Sequence, residues 1–245
     1  MIPLSVSRLR ERVATVFPHA PESLQLDVWF LSTRMTTEER ESHWSSLSGE
    51  ERDRAGRFLF EGDRDRFIAA RGGLRVILAA YSCVQPANLA FQMGAHGKPA
   101  LLTPVLPLEF NVSHSGDCAL VGITPGTPCG VDIEFARPGR REMEIAERFF
   151  GSREIVWLKQ TQGGFFRLWT AKESIIKAVG RGLSIPLSDV DGTDVVSGSK
   201  PSIVLETSGM ERRTIWINEL VLAEGFAAAA AVDGERHSIR ILADA

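Results

Sequence analysis

The hydrophobic pattern changes period several times along the chain, and each change marks an element. In LQLDVWFL, Leu24, Leu26, Val28 and Phe30 alternate with other residues, which predicts a strand. TTEERESHWSSL opens with hydroxyl residues and acids, the composition of a helix start. Ser48-Gly49-Glu50-Glu51 fits a capping box for a second helix running through RDRAGRFLF. A longer helix is predicted over 63 to about 82, with Phe67, Leu74, Ile77 and Leu78 on one face. Its Gly72-Gly73 pair weakens local propensity, so another part of the chain is expected to approach closely there.

Residues 94–107 are rich in Gly and Pro and read as loop. Two short strands, at 110–112 and 119–123, flank a polar turn over 113–117, and a punctuated loop over 124–130 leads into a strand at 131–135. Helices follow at about 142–150 and 165–179, then strands at 202–206, 214–222, 226–232 and 237–242. The run Ala227 to Ala231 favours a helix by propensity, but five residues between Gly225 and Asp233-Gly234 are too few for one. It reads as a strand buried on both faces. RFIAARGGLRVILAA and RLWTAKESIIKAVG share an apolar start, a basic residue after Ala and a helical continuation, which suits duplication. Two similar halves, 1–128 and 129–245, are expected from it.

Composition narrows the function classes. Of the 245 residues, 44% are hydrophobic and 24% charged, an ordinary globular balance. No apolar run approaches the roughly 20 residues of a membrane helix. The start MIPLSVSRLRERV carries charge where a signal peptide is apolar, so a cytoplasmic location is expected. A net charge of -3 argues against bulk nucleic-acid binding. Cys83, Cys118 and Cys129 suit neither a disulfide framework nor a zinc site, and all three read as buried small hydrophobes.

Asp132 and Glu134 stand one residue apart on a predicted strand, so both leave the same face while Ile133 enters the core. Two such carboxylates repel unless a cation sits between them, and hard oxygen ligands favour Mg²⁺ or Mn²⁺; for the pair taken alone, a solvated strand end is the stronger explanation. In WTAKESIIKAVG, Glu173 and Lys177 share one helix face. A surface ion pair is the bland explanation. The helix is otherwise apolar, however, and buried charges need partners, which a metal for Glu173 and a phosphate for Lys177 would supply. Ser113-His114-Ser115, read as a turn, can grip phosphate oxygens through side chains and backbone N–H groups. Gly97-Lys98-Pro99 is no P-loop, yet can set one lysine beside a nucleotide. Arg52, Arg54, Arg57, Arg64 and Arg66 form either a basic cluster or solvated helix faces.

Taken in order, HGKPAL, FNVSHSGDCALVGI, CGVDIE and FFRLWTAKESIIKAVGRGLSIPL resemble the Sfp-type 4′-phosphopantetheinyl transferases, over much of 52–187. The resemblance implies transfer of 4′-phosphopantetheine from coenzyme A to a serine of an apo acyl, polyketide or peptidyl carrier protein, releasing adenosine 3′,5′-bisphosphate. It implies Mg²⁺ on Asp132, Glu134 and Glu173, and phosphate contacts from Lys177, Ser113 and His114. Lys98 and Pro99 match the loop beside the adenine, Arg66 a contact to the 3′-phosphate, and Arg52 and Arg54 further basic residues in poorer register. Glu154 matches the proposed general base. The fold class the resemblance implies is α/β (α+β), with the site in the cleft between the two halves, and a monomer is expected, since an internal pair of halves replaces a second subunit. Arg137, Arg140 and Arg141 make a basic rim suited to acidic carriers. The alternatives are another metal-dependent phosphoryl enzyme and a non-catalytic coenzyme A binding module.

Overall fold

The computed structural model describes residues 1–16, 22–102, 107–137, 139, 141–206 and 211–244. Its helices are α1 (Val6–Val16), α2 (Thr37–Ser46), α3 (Gly49–Ala55), α4 (Glu61–Ser82), α5 (Glu142–Phe149), α6 (Ser152–Gln160), α7 (Gly164–Val179) and α8 (Thr193–Val196). The strands are β1 (Gln25–Ser32), β2 (Phe91–Met93), β3 (Pro99–Leu101), β4 (Leu108–Ser115), β5 (Cys118–Pro125), β6 (Cys129–Phe135), β7 (Ser202–Leu205), β8 (Arg213–Glu219), β9 (Phe226–Asp233) and β10 (Ser238–Leu242). One four-stranded sheet has the order β10-β1-β5-β4 and the other β6-β9-β8-β7; β2 and β3 form a separate hairpin.

Strand periodicity sorts the apolar residues into three cores. Trp29 and Leu31 of β1 and Val121 and Ile123 of β5 face α4, through Leu74, Ile77 and Leu78. Leu26, Val28 and Phe30 point the other way, against Val131 and Ile133 of β6 and Ala228, Ala230 and Val232 of β9. On the far side of the second sheet, Ala229 and Ala231 meet Leu168, Ala171 and Ile175 of α7. The layers therefore run helix, sheet, sheet, helix, and the central strands are buried on both faces. That double burial explains the alanines of β9, where small side chains let both a helix and a second sheet come close.

The expected capping box forms at Ser48 with Glu51, and α2 starts with a second one, at Thr36 with Glu39. The second helix stops at Ala55, short of the expected span, because Gly56 caps it and α4 then starts afresh after Phe60. Gly72 and Gly73 do admit close neighbours: a Cβ on Gly72 would lie 2.6 Å from the His43 side chain, and one on Gly73 3.0 Å from Leu31. Within the expected 94–107 loop, β3 pairs with β2, with Pro99 at its first position, where its missing N–H is tolerated; residues 103–106 lie outside the described ones. α6 and α8 fall where no helix was expected. Cys118 and Cys129 are buried, which pushes both thiols up to about 11, but Cys83 is exposed at the left-handed C-cap of α4.

Two differences bear on the site. Ser113 and His114 lie in β4 rather than in a turn, because the β4–β5 hairpin reverses at Gly116-Asp117, with Gly116 at φ +57°. The strand is long there because its polar positions face another strand instead of water. Further, β10 pairs in parallel with β1, so the chain's last strand completes the sheet of the first half.

Candidate active site

The edges of the two sheets, β4 and β6, lie side by side and are joined by side chains. Asn111 Oδ1 accepts from Val131 N–H (2.9 Å), Ser113 Oγ donates to Asp132 Oδ1 (2.8 Å), and Ser115 Oγ accepts from Phe135 N–H (3.0 Å) and donates to Glu134 Oε2 (2.8 Å). Alternate residues of β4 thus supply the partners that the β6 edge would otherwise lack.

With Val131 and Ile133 in the inter-sheet core, Asp132 and Glu134 turn toward α7, as the strand period requires. The helix rests directly on β6: a Cβ on Gly130 would lie 2.1 Å from the Ser174 carbonyl oxygen and 2.4 Å from Ala178 N. This contact brings Glu173 and Lys177 over the two acids. A pocket of about 380 Å³ results, lined by Val112, Ser113, His114, Asp132, Glu134, Trp169, Glu173 and Lys177. Lys177 Nζ donates to Asp132 Oδ1 (2.5 Å) and to Ser113 Oγ (3.1 Å).

Burial holds the Asp132 carboxyl above its usual range, with Lys177 and Ser113 opposing. Burial likewise raises Glu134, where the Asp132 charge adds to the effect. Glu173 is raised by burial and then by Asp132. The imidazole of His114 is pushed down by burial and by the nearby Lys177 and Arg66 charges, which favours its neutral form. Three crowded acids with one lysine among them make a site short of positive charge.

The donors fit a divalent cation in kind. All are oxygens, Asp132 Oδ2 is buried with no hydrogen-bond partner, and Glu173 has no hydrogen bond among the described residues. They are not closed around an ion: among the described residues no three His, Cys, Asp or Glu side chains converge as a ready-made metal centre. Lys177 and Ser115 instead hold one oxygen each of Asp132 and Glu134.

The other expected residues are spread around this pocket. Lys98 Nζ donates to the Cys129 carbonyl (2.9 Å), and its stem passes Gly180 just beyond α7; Pro99 starts β3. Arg66 pairs with Asp63 and lines a larger pocket, about 810 Å³, which shares His114 with the acid pocket. Arg52 donates to the Trp44 and Ser45 carbonyls, and Arg54 stands over the Phe67 ring; neither lines either pocket. Arg137 lines the larger pocket and Arg141 is exposed before α5, while Arg140 lies outside the described residues. Glu154 is the main departure. It is not brought to the acid pocket; it is fully buried and ion-paired with Lys172. Asn111 and Trp169 were assigned no role, and Ser115, expected among the phosphate-gripping groups, instead holds Glu134 and the Phe135 N–H. Asn111 and Ser115 lie in step with Ser113, the period of a strand, and that was the available signal.

Known proteins match this chain in both halves. A model for the N-terminal part of 4′-phosphopantetheinyl transferases matches residues 34–125, and a model for the 4′-phosphopantetheinyl transferase superfamily matches 128–231. A putative 4′-phosphopantetheinyl transferase of Synechocystis is 37% identical over 150 residues, 59% of this chain and 61% of its own length. The 4′-phosphopantetheinyl transferase HetI of Nostoc is 40% identical over 147 residues, 57% of this chain and 62% of its own. The match thus spans about three-fifths of those two relatives. It reaches 71% of the 4′-phosphopantetheinyl transferase Sfp of Bacillus subtilis, 34% identical over 164 residues and 64% of this chain. Matches that cover both halves, and meet at the β5–β6 connection, make this chain a member of the 4′-phosphopantetheinyl transferase superfamily, of the Sfp type.

Proposed function

We propose that the protein transfers the 4′-phosphopantetheine group of coenzyme A to a serine of an apo acyl, polyketide or peptidyl carrier protein. The observation that carries this reading is the gathering of Asp132, Glu134, Glu173, Lys177, Ser113 and His114 around one pocket in a chain of this superfamily. The serine oxygen forms a bond to the phosphorus that bears pantetheine. The bond from that phosphorus to the bridging oxygen breaks, its electron pair leaves with adenosine 3′,5′-bisphosphate, and the serine proton is released.

Each residue has a physical task. Lys177, half-buried on a long stem, exchanges its contact with Asp132 for a pyrophosphate oxygen and stabilises charge there as the bond breaks. Ser113 and neutral His114 can each donate one hydrogen bond to phosphate oxygens without adding charge. Arg66, in the adjoining larger pocket, and Lys98, beside Cys129 and Gly180, suit the 3′-phosphate and the adenosine. Arg52 and Arg54 stay outside this set, since both guanidiniums serve local contacts. A Mg²⁺ or Mn²⁺ ion held by Asp132, Glu134 and Glu173 would neutralise the pyrophosphate and polarise the leaving oxygen.

We place the reaction in the cytoplasm and assign it to a monomer. Among the described residues no helix is long and apolar enough to cross a membrane. Release of adenosine 3′,5′-bisphosphate tests the reading. It should require coenzyme A, a divalent cation and an apo carrier together, and stop when the carrier serine is replaced by alanine. Coenzyme A binding with no release on any carrier would favour a binding module instead.

A further inference from the structure

Outside the acid pocket, Glu154 and Lys172 form an ion pair whose side chains are 1% and 0% exposed. Glu154 stands in the first turn of α6 and Lys172 in the middle of α7. Both carboxylate oxygens are taken. Oε2 accepts from Lys172 Nζ and from Gly151 N–H (2.9 Å), and Oε1 accepts from Gly192 N–H (3.0 Å). The ammonium is equally committed: it donates to Glu154 and to the Val190 carbonyl (2.7 Å), and lies 4.5 Å from the centre of the Phe150 ring.

This geometry is wrong for a base. No oxygen of Glu154 is open to the pocket, and moving the carboxylate toward a substrate would strand a buried ammonium. It is right for a clamp. Successive residues of a helix point about 100° apart, so fixing Lys172 fixes the rotation of α7 about its axis. Glu173 is the next residue and Lys177 follows one turn later, so that rotation sets the aim of both into the pocket. Gly130 sets how near α7 lies to β6, and the ion pair sets which way it faces.

We propose that Glu154 and Lys172 are a positioning pair that holds Glu173 and Lys177 toward the pocket and takes no proton from the acceptor. The inference rests on the transferase reading and deepens it. Its test compares wild type with Glu154→Gln, with the double variant Glu154→Gln/Lys172→Met, and with Lys172→Arg. Melting temperature, Mn²⁺ affinity from water-proton relaxation, and transfer rate are read on each.

A positioning pair predicts that Glu154→Gln melts lower and binds Mn²⁺ about tenfold more weakly, with a parallel loss of rate. The double variant, free of buried charge, should recover stability and Mn²⁺ affinity and transfer within about tenfold of wild type. Lys172→Arg keeps the carboxylate but not the fit, and should also weaken Mn²⁺ binding. A double variant that is stable and binds Mn²⁺ normally, yet is about a hundredfold slower, would restore Glu154 as the base and overturn the proposal. So would variants that melt lower with unchanged Mn²⁺ affinity and rate, since the pair would then serve stability alone. Should the double variant not fold, Lys172→Arg decides: unchanged Mn²⁺ affinity and rate overturn the proposal. Wild type that binds Mn²⁺ but transfers nothing would sink the transferase reading and leave the pair to be judged by affinity. Wild type that binds no Mn²⁺ would overturn both.

Discussion

Glu173 is half-buried, carries a raised pKa and has no hydrogen bond of its own among the described residues, so its charge costs stability in the metal-free protein. Glu173→Gln keeps the shape and removes that cost. The variant should melt no lower than wild type without metal, lose the stabilisation that Mg²⁺ or Mn²⁺ gives wild type, and lose transfer; normal turnover would exclude it as a ligand. His43 is a second residue whose charge state matters. Burial, aided by Arg10, pushes its pKa from 6.5 down to about 4, and it packs against Gly72 in the notch that the missing Cβ leaves. The unfolded chain takes up this proton before the folded one does. The neutral form therefore contributes stability fully above pH 6.5, and that contribution is lost as pH falls toward 4. At about 1.4 kcal/mol per pKa unit the loss is on the order of 3 kcal/mol. Melting curves between pH 8 and 4 should show it in wild type and not in His43→Gln; equal losses in both would count against it.

Among the elements, α7 and β6 were legible from local pattern, because Asp132 and Glu134 on a strand and Glu173 and Lys177 on a helix each define a face by period alone. The meeting of those faces was not legible, since it depends on Gly130, whose role appears only where helix backbone presses on strand backbone. Gly130→Ala should therefore cost at least about 3 kcal/mol, the upper range for overpacking, and should lower metal affinity as α7 is pushed away; a chemical denaturation midpoint like that of wild type would refute this. β4 misled for a related reason. Polarity at Ser113 and Ser115 signals water when read along the chain, but here it signals the edge of another strand. α6 escaped notice because it is short and its apolar residues, Ile155 to Leu158, form one unbroken run rather than a helical spacing.

At the scale of the molecule, duplication was visible as two similar helices, and the two sheets with α4 and α7 on their outer faces agree with it. The crossing of β10 into the first sheet was not visible, because a parallel pairing between the two ends of the chain leaves no local trace. Asp27 fastens that crossing. Fully buried, it accepts from Arg240 Nε (2.8 Å) and Nη2 (2.6 Å), from Tyr81 Oη (2.5 Å) and from Gln25 Nε2 (2.8 Å). Asp27→Asn should cost about 3 kcal/mol by breaking a buried pair, and hydrogen exchange should quicken first in β10 and β1. Loss of protection confined to the second sheet would contradict this role.

The seam between β4 and β6 draws these scales together, because it joins the two sheets, carries Ser113, Asp132 and Glu134, and lies against Glu173 and Lys177 of α7. What happens there is read in one measurement: intact mass of an apo carrier protein incubated with coenzyme A and wild-type protein, with Mg²⁺ and with chelator. The carrier should gain the mass of one phosphopantetheine on its serine with Mg²⁺ and none with chelator or with Glu173→Gln. A gain that survives chelation and Glu173→Gln, or no gain on acyl, polyketide and peptidyl carriers alike, would contradict a metal-dependent pantetheine transfer at this seam.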